Sequence, residues 1–300
     1  MNHASGSAPT LQELAWALRI GAHYNVMANI VYGQVDGVDL KLDVYRAWTV
    51  ERPKPTVMFM HGGGWMAGAT KETWALWFLP FLQLGWTVVN VDYRPSSLAQ
   101  APAAVADCLE ALGWICSNAE TCGFDLEQLV IAGLSAGGHL ALTTGMIPHA
   151  ARGASGLPED LVAFARHLVP KAAARQRPAA IINWCGVTDV ADVADGPNRQ
   201  DYVAEWVGRG PDHLAVARQV SPVAYVTAGL APIITIHGNA DDHVPYRQAV
   251  RLHDALSAAR VRNELITLPG AVHGALAEHL DTYPRVFTFL AQAGLQQRLV

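Results

Sequence analysis

Five short apolar runs, at residues 56–60, 87–91, 129–132, 181–185 and 233–236, recur along the chain, each bounded by turn residues. Between them lie stretches with helical character, roughly 72–84, 102–118, 136–146 and 246–260. A last strand at 264–268 precedes a final helix from about 275 to 293. Strands that alternate with helices are joined by right-handed crossovers and collect into a mostly parallel sheet flanked by helices. Such a sheet is buried on both faces, so its strands read as nearly continuous apolar runs. The composition agrees: 51% of the 300 residues are hydrophobic and 16% charged, where about a quarter charged is usual. The fold class is therefore α/β.

The same runs organise the chain as one domain over residues 1–300. Residues 11–20 carry Leu11, Leu14, Ala15 and Leu18 at helical spacing, and an N-terminal helical segment within 1–25 is expected to join a cap. Segments 30–35 and 40–45 flank Asp36-Gly37, a strong hairpin signal that implies an antiparallel edge. Residues 186–223 mix Asp, Gly, Pro and Trp, with helix-like pieces at 201–207 and 213–220. That stretch is too long for a simple connection and is expected to be a small helical cap insertion over one end of the sheet. Residues 148–177 form a second long connection, Ala-rich and in part amphipathic.

A net charge of −5 without a basic cluster argues against nucleic acid as a partner. The first ten residues are polar and small, with no apolar core behind a positive start, so no signal peptide is expected. The most hydrophobic stretch, 76–91, is interrupted by Pro80, Gln83, Gly85 and Asn90, and no membrane span is expected. Cys108, Cys116, Cys122 and Cys185 show neither a CxxC pair nor metal-ligand spacing. They read as buried free thiols in a reducing compartment, and a cytoplasmic protein follows as the expectation. A homo-oligomer is compatible with all of this.

Chemistry concentrates where strands end. Gly133-Leu134-Ser135-Ala136-Gly137 follows the run 129–132 and opens a helix. A tight strand-to-helix turn thrusts a serine out towards a base and a substrate, and the flanking glycines leave room for it. His61-Gly62-Gly63-Gly64-Trp65 follows the run 56–60. Its glycines let backbone N–H groups face a ligand, and donors preorganised around an oxyanion are each worth roughly 3–4 kcal/mol. Gly63 and Gly64 are assigned that role, with Ala136 as the third donor. A phosphate loop would need Lys and Ser/Thr directly behind the glycines, and Lys71 stands too far along. His61 is expected to be a hydrogen-bonded scaffold residue.

Asp241 and Asp242 follow the run 233–236, on the rim where α/β sheets place their sites. Asp241 is favoured as the acid, because Asp242 stands where it would cap the next helix. His273, in the turn between the last strand and the last helix, is the candidate base. His253 and His279 fall inside helices, and His237 and His243 flank the acid too closely to be oriented by it. The order Ser135, Asp241, His273 differs from those of chymotrypsin and subtilisin. Trp65, Met66 and Leu134 are expected to wall the substrate pocket. Trp74, Trp77, Trp184 and Trp206 are further candidates, with core packing as the alternative for most of these aromatic residues.

With HGGGW at 61–65, VDYR at 91–94, GLSAGG at 133–138, GNADDHVP at 238–245 and GAVHG at 270–274, the chain resembles α/β-hydrolase-fold carboxylesterases with the HGGG signature. These include hormone-sensitive-lipase-like and related bacterial esterases. The LDVYR at 42–46 also resembles the opening strand of the esterase and formamidase branch. Leu134 departs from the hormone-sensitive-lipase group, whose elbow reads GDSAGG, and that group usually has a longer N-terminal cap. The resemblance implies hydrolysis of a small-molecule ester through an acyl-enzyme, with no metal or organic cofactor. Short acyl chains are expected from an aromatic-walled pocket. An arylformamidase or a sugar-acetyl esterase would use the same residues, and a catalytically silent binding protein of this fold is the alternative from another class.

Overall fold

A computed structural model describes residues 24–47, 53–66, 74–195 and 198–295. The expected helix at 11–20, and with it most of the segment 1–25, lies outside the described residues. A hairpin comes first among the described residues, β1 (Tyr24–Val35) and β2 (Val38–Ala47); β1 starts earlier than the apolar pattern suggested and β2 is longer at both ends. Asp36 and Gly37 between them both have positive φ, 50° and 79°, as a two-residue turn matched to strand twist requires. The alternation follows: β3 (Lys54–Met60), α1 (Ala75–Gln83), β4 (Thr87–Val91), α2 (Ala103–Ser117), α3 (Ala119–Cys122), β5 (Phe124–Leu134) and α4 (Ala136–Ala151). Then come α5 (Glu159–Leu168), β6 (Ala180–Trp184), α6 (Val190–Ala194), α7 (Asp201–Val207), α8 (His213–Gln219), β7 (Ile233–Gly238), α9 (Arg247–Ala258), β8 (Asn263–Leu268) and α10 (Tyr283–Gln292).

The eight strands form one sheet in the order β1-β2-β4-β3-β5-β6-β7-β8. β2 pairs antiparallel with β1 and β4, and every other pairing is parallel. Side chains alternate across a strand, and the two faces feed two separate cores. Met58, Met60, Val89, Val91, Ile131, Ile181 and Ile233 enter one, packed with Leu109 and Leu112 of α2, Leu140 of α4 and Leu252 of α9. Val57, Phe59, Val88, Val130, Ile182, Ile234 and Ile236 enter the other, covered by Trp77, Phe78 and Phe81 of α1 and by Val286, Phe289 and Leu290 of α10. Each such side chain, when fully buried, contributes about 1.5–3 kcal/mol. Helices on both faces of a mostly parallel sheet make this an α/β fold, and the strand order with antiparallel β2 is the one expected of an α/β-hydrolase.

Two elements differ from expectation. The last helix begins at Tyr283, not near 275; before it run two 3₁₀ turns, His273–Glu278 and Leu280–Thr282. Pro284 explains the late start, since proline fits a helix's first turn but not its interior. The connection after α4 also contains a full helix, α5, whose one apolar stripe buries Leu161, Val162 and Ala165. In the insertion, α7 and α8 stand where helical character was read, and α6 adds a turn before them. Buried Gln248 of α9 anchors its start, accepting from the N–H groups of Thr188 (2.9 Å) and Asp189 (2.7 Å).

Candidate active site

Strand β5 delivers Ser135 at its carboxyl end, and α4 begins with the next residue. Ser135 has φ 56° and ψ −117°, a conformation a residue with a Cβ rarely adopts. Its neighbours hold it there. The Ser135 N–H donates to Trp184 O (2.7 Å), and the His139 N–H donates to Ser135 O (3.0 Å). The flanking glycines are required by contact. A Cβ on Gly133 would stand 2.1 Å from Gly137 O, and one on Gly137 would stand 2.1 Å from Met60 O. Strand, elbow and helix therefore approach more closely than any side chain permits.

His273 reaches Ser135 from the turn after β8. Its Nε2 lies 2.9 Å from Ser135 Oγ, and its Nδ1 lies 2.8 Å from Asp241 Oδ2. Two loops must come together for this, and Gly238 lets them: a Cβ there would stand 2.2 Å from Ala271 O. The loops are then tied by Asn239 N–H to Leu268 O (3.1 Å), Ala240 N–H to Ala271 O (3.2 Å) and Gly270 N–H to Asn239 Oδ1 (2.7 Å).

The Asp241 side chain is fully buried. Its Oδ1 accepts the N–H groups of His243 (2.9 Å) and Val244 (2.8 Å), and its Oδ2 lies 3.1 Å from His237 Nε2 as well as near His273. Burial is the strongest single influence on this carboxyl and pushes its pKa upward. The hydrogen bonds from His237 and His273, the charge of His273 and the Val244 N–H together outweigh it and hold the group below the usual carboxylate range. Asp241, not Asp242, caps the turn before α9. Asp242 points to solvent and pairs with His243 Nδ1 (2.9 Å), and α9 starts at Arg247 without a side-chain cap. His237, which sequence spacing set aside, does contact the acid: the turn at 239–240 folds the chain back so that residues four apart meet.

Gly63, Gly64 and Ser135 line a cavity of about 340 Å³ together with Met66, Trp74, Trp77, Leu134, Tyr202, His243, His273 and Gly274. Gly63 and Gly64 have φ 113° and 63°. Ala136 is the first residue of α4, so its N–H has no partner within the helix. The helix N-terminus also adds a positive partial charge beside Ser135.

Met66 and Leu134 line this cavity, as expected. Trp65 does not. Only 1% exposed, it turns into the core and stacks on Trp206 at 4.0 Å between ring centres, edge-on to His139 at 5.1 Å. Its φ of 57° sends the side chain away from the cavity that the preceding glycines face. Trp184 and Trp206 are likewise core residues, 1% and 0% exposed. His61 is a scaffold residue: its Nδ1 lies 2.7 Å from Gly62 O, and its ring stacks on Tyr93. Sequence reasoning missed Tyr202 and His243. Tyr202 comes from α7, with its ring beside Gly64 and its hydroxyl donating to His243 O (3.3 Å). The His243 ring stacks on His273 at 5.1 Å. Tyr202 lies in no motif, and within GNADDHVP the spacing of His243 points only to the neighbouring acid; both reach the site through tertiary packing.

Donor atoms of Cys185, Asp241 and His273 fall within 4.8 Å of one another, but they do not fit a metal centre. A proton shared over 2.8 Å joins Asp241 to His273. Burial, and then the Asp241 charge, push the Cys185 thiol well above its usual range, whereas a metal binds the thiolate.

The BD-FAE family model matches residues 42–256, which span the elbow, the glycine loop and Asp241. The chain belongs to the BD-FAE family. Among curated relatives, the esterase LipC of Mycobacterium tuberculosis is 29% identical over 252 residues, covering 82% of this chain and 59% of LipC. The probable carboxylic ester hydrolase LipM of the same organism is 26% identical, covering 80% and 53%. The chain thus spans little more than half the length of these two relatives. Among solved structures, esterase Est2 of Thermogutta terrifontis superposes with a TM-score of 0.69 at 29% identity, covering 91% of this chain and 93% of Est2. Est2 has also been solved bound to propionate, bound to butyrate and phosphonylated by sarin.

Proposed function

We propose that this BD-FAE family member is a serine esterase that hydrolyses short-chain carboxylic esters through an acyl-enzyme. The observation that carries the proposal is the continuous hydrogen-bonded line Ser135–His273–Asp241, at 2.9 and 2.8 Å, opening into a cavity floored by Gly63 and Gly64. In this reading His273 Nε2 takes the Ser135 proton as Oγ attacks the acyl carbon. Asp241 receives the Nδ1–H bond, fixes the tautomer and stabilises the imidazolium. The oxyanion rests against the N–H groups of Gly63, Gly64 and Ala136. His273 then protonates the departing alcohol, and water releases the acid by the same route.

Cavity size and lining support the short-chain preference. About 340 Å³ bounded by Trp74, Trp77, Leu134, Met66 and Tyr202 is at the small end for ligand sites and mostly apolar. The propionate- and butyrate-bound forms of Est2 support it from a relative. Comparing kcat/KM for p-nitrophenyl acetate, butyrate and dodecanoate tests it. The short esters should turn over at least about tenfold faster than the long one. Faster hydrolysis of dodecanoate would overturn the preference.

A further inference from the structure

His237, the penultimate residue of β7, has its side chain 0% exposed and meets the same carboxylate oxygen that takes the bond from His273. Its Nε2 lies 3.0 Å from Val244 O and 3.1 Å from Asp241 Oδ2. A backbone carbonyl can only accept, so Nε2 carries a proton, shared between the carbonyl and the carboxylate. Nδ1 is then the question. It is buried and has no hydrogen-bond partner among the described residues, and the ring meets Tyr246 edge-on at 5.7 Å. A second proton there would be a buried donor with nowhere to go, so the geometry fixes a neutral ring in the Nε2–H form. A buried polar nitrogen without a partner is unfavourable, and phenylalanine would fill the space without it. What phenylalanine cannot supply is the N–H on Asp241.

We propose that His237 is a positioning residue of the active site, a neutral donor that locks the Asp241 carboxylate in the rotation that orients His273. The proposal rests on the esterase reading above. The backbone N–H groups of His243 and Val244 hold Oδ1; His237 and His273 hold Oδ2. Without His237 the carboxylate keeps one of its two donors on the oxygen that faces His273. The other titratable groups near Asp241 are Cys185 just after β6, Tyr202 from α7, and Asp242 and His243 from its own loop. Burial and the carboxylate push the Cys185 and Tyr202 pKa values upward; the Tyr202 hydroxyl is already given to His243 O and Cys185 offers only a weak S–H donor, so neither replaces the missing N–H.

Three variants test this: His237→Phe, which fills the space, His237→Gln, whose amide nitrogen reaches the Nε2 position, and His237→Asn, whose amide nitrogen stops at Nδ1. With p-nitrophenyl butyrate, His237→Phe should lower kcat about 10- to 100-fold and leave KM within about twofold. His237→Gln should recover most of the lost kcat, and His237→Asn should not; this pair decides the matter if the Phe variant does not fold. A readout independent of turnover separates this proposal from the esterase reading. In Ser135→Ala protein, the downfield proton NMR signal of the His273–Asp241 bond should weaken on adding His237→Phe and return with His237→Gln. A folded His237→Phe enzyme with wild-type kcat and proton signal would overturn the proposal. So would a loss that glutamine and asparagine share equally.

Discussion

Gly137 carries no functional group, yet the candidate nucleophile depends on it as much as on its own hydroxyl. A Cβ at that position would stand 2.1 Å from Met60 O and 2.4 Å from His61 O, both backbone atoms that cannot swing aside. Gly137→Ala should therefore push β3 and the glycine loop away from the elbow. We expect a loss of at least about 2 kcal/mol in urea unfolding together with reduced ester hydrolysis, because strain is placed where the oxyanion donors sit. An alanine variant with unchanged unfolding midpoint and rate would contradict the close-packed elbow. At this scale much of the site was legible in the sequence. Ser135, Asp241 and His273 stand at strand ends, where local chemistry and chain order point to them. Trp65 and His237 were not legible. Which way a tryptophan faces after two positive-φ glycines, and whether two residues four apart meet across a turn, are decided by backbone conformation that residue types leave open.

The elements show the same division. Runs of β-branched and apolar residues marked the parallel strands because those strands are buried on both faces and tolerate little else. The edges were harder to place: β1 keeps Val26 exposed in a first half that also holds Asn25 and Asn29, so that half carried no clear period. Helix α7 was recognised as helical, but the packing that sends Tyr202 over Gly64 depends on Trp206 one turn later stacking on Trp65. The insertion thus grips the glycine loop from behind with one aromatic ring and walls the cavity with another. Tyr202→Ala should enlarge the cavity and leave the Trp206 anchor in place. The ratio of kcat/KM for p-nitrophenyl octanoate to that for acetate should rise roughly fivefold or more. An unchanged ratio would show that α7 does not limit the acyl chain.

Across the whole molecule, His139 links these parts. It sits one turn into α4, fully buried and edge-on to the stacked pair Trp65 and Trp206, and its Nε2 lies 2.7 Å from Val220 O. Burial is the main influence and lowers its pKa to about 4, although the bond to Val220 opposes this. The unfolded chain, with an imidazole near 6.5, binds this proton more readily than the native protein does. Stability from this group is therefore complete above about pH 6.5 and declines as pH falls towards 4, by about 3 kcal/mol in all. Asp241 adds a loss at still lower pH: its folded pKa is depressed, so its contribution is present above about pH 4 and disappears as the carboxylate is protonated. Urea unfolding at about pH 7.5 and about pH 4.5 should show most of the His139 difference in the wild type and little of it in His139→Phe. Equal pH dependence in both would contradict a neutral, buried His139. All of this serves the placement of one hydroxyl. The most direct test is therefore covalent: react the protein with a fluorophosphonate, determine the intact mass and map the modified peptide, with Ser135→Ala in parallel. One adduct on Ser135, absent from a folded Ser135→Ala variant that has lost ester turnover by several orders of magnitude, is the expected result. An unlabelled Ser135, or a Ser135→Ala variant that hydrolyses esters at the wild-type rate, would contradict it.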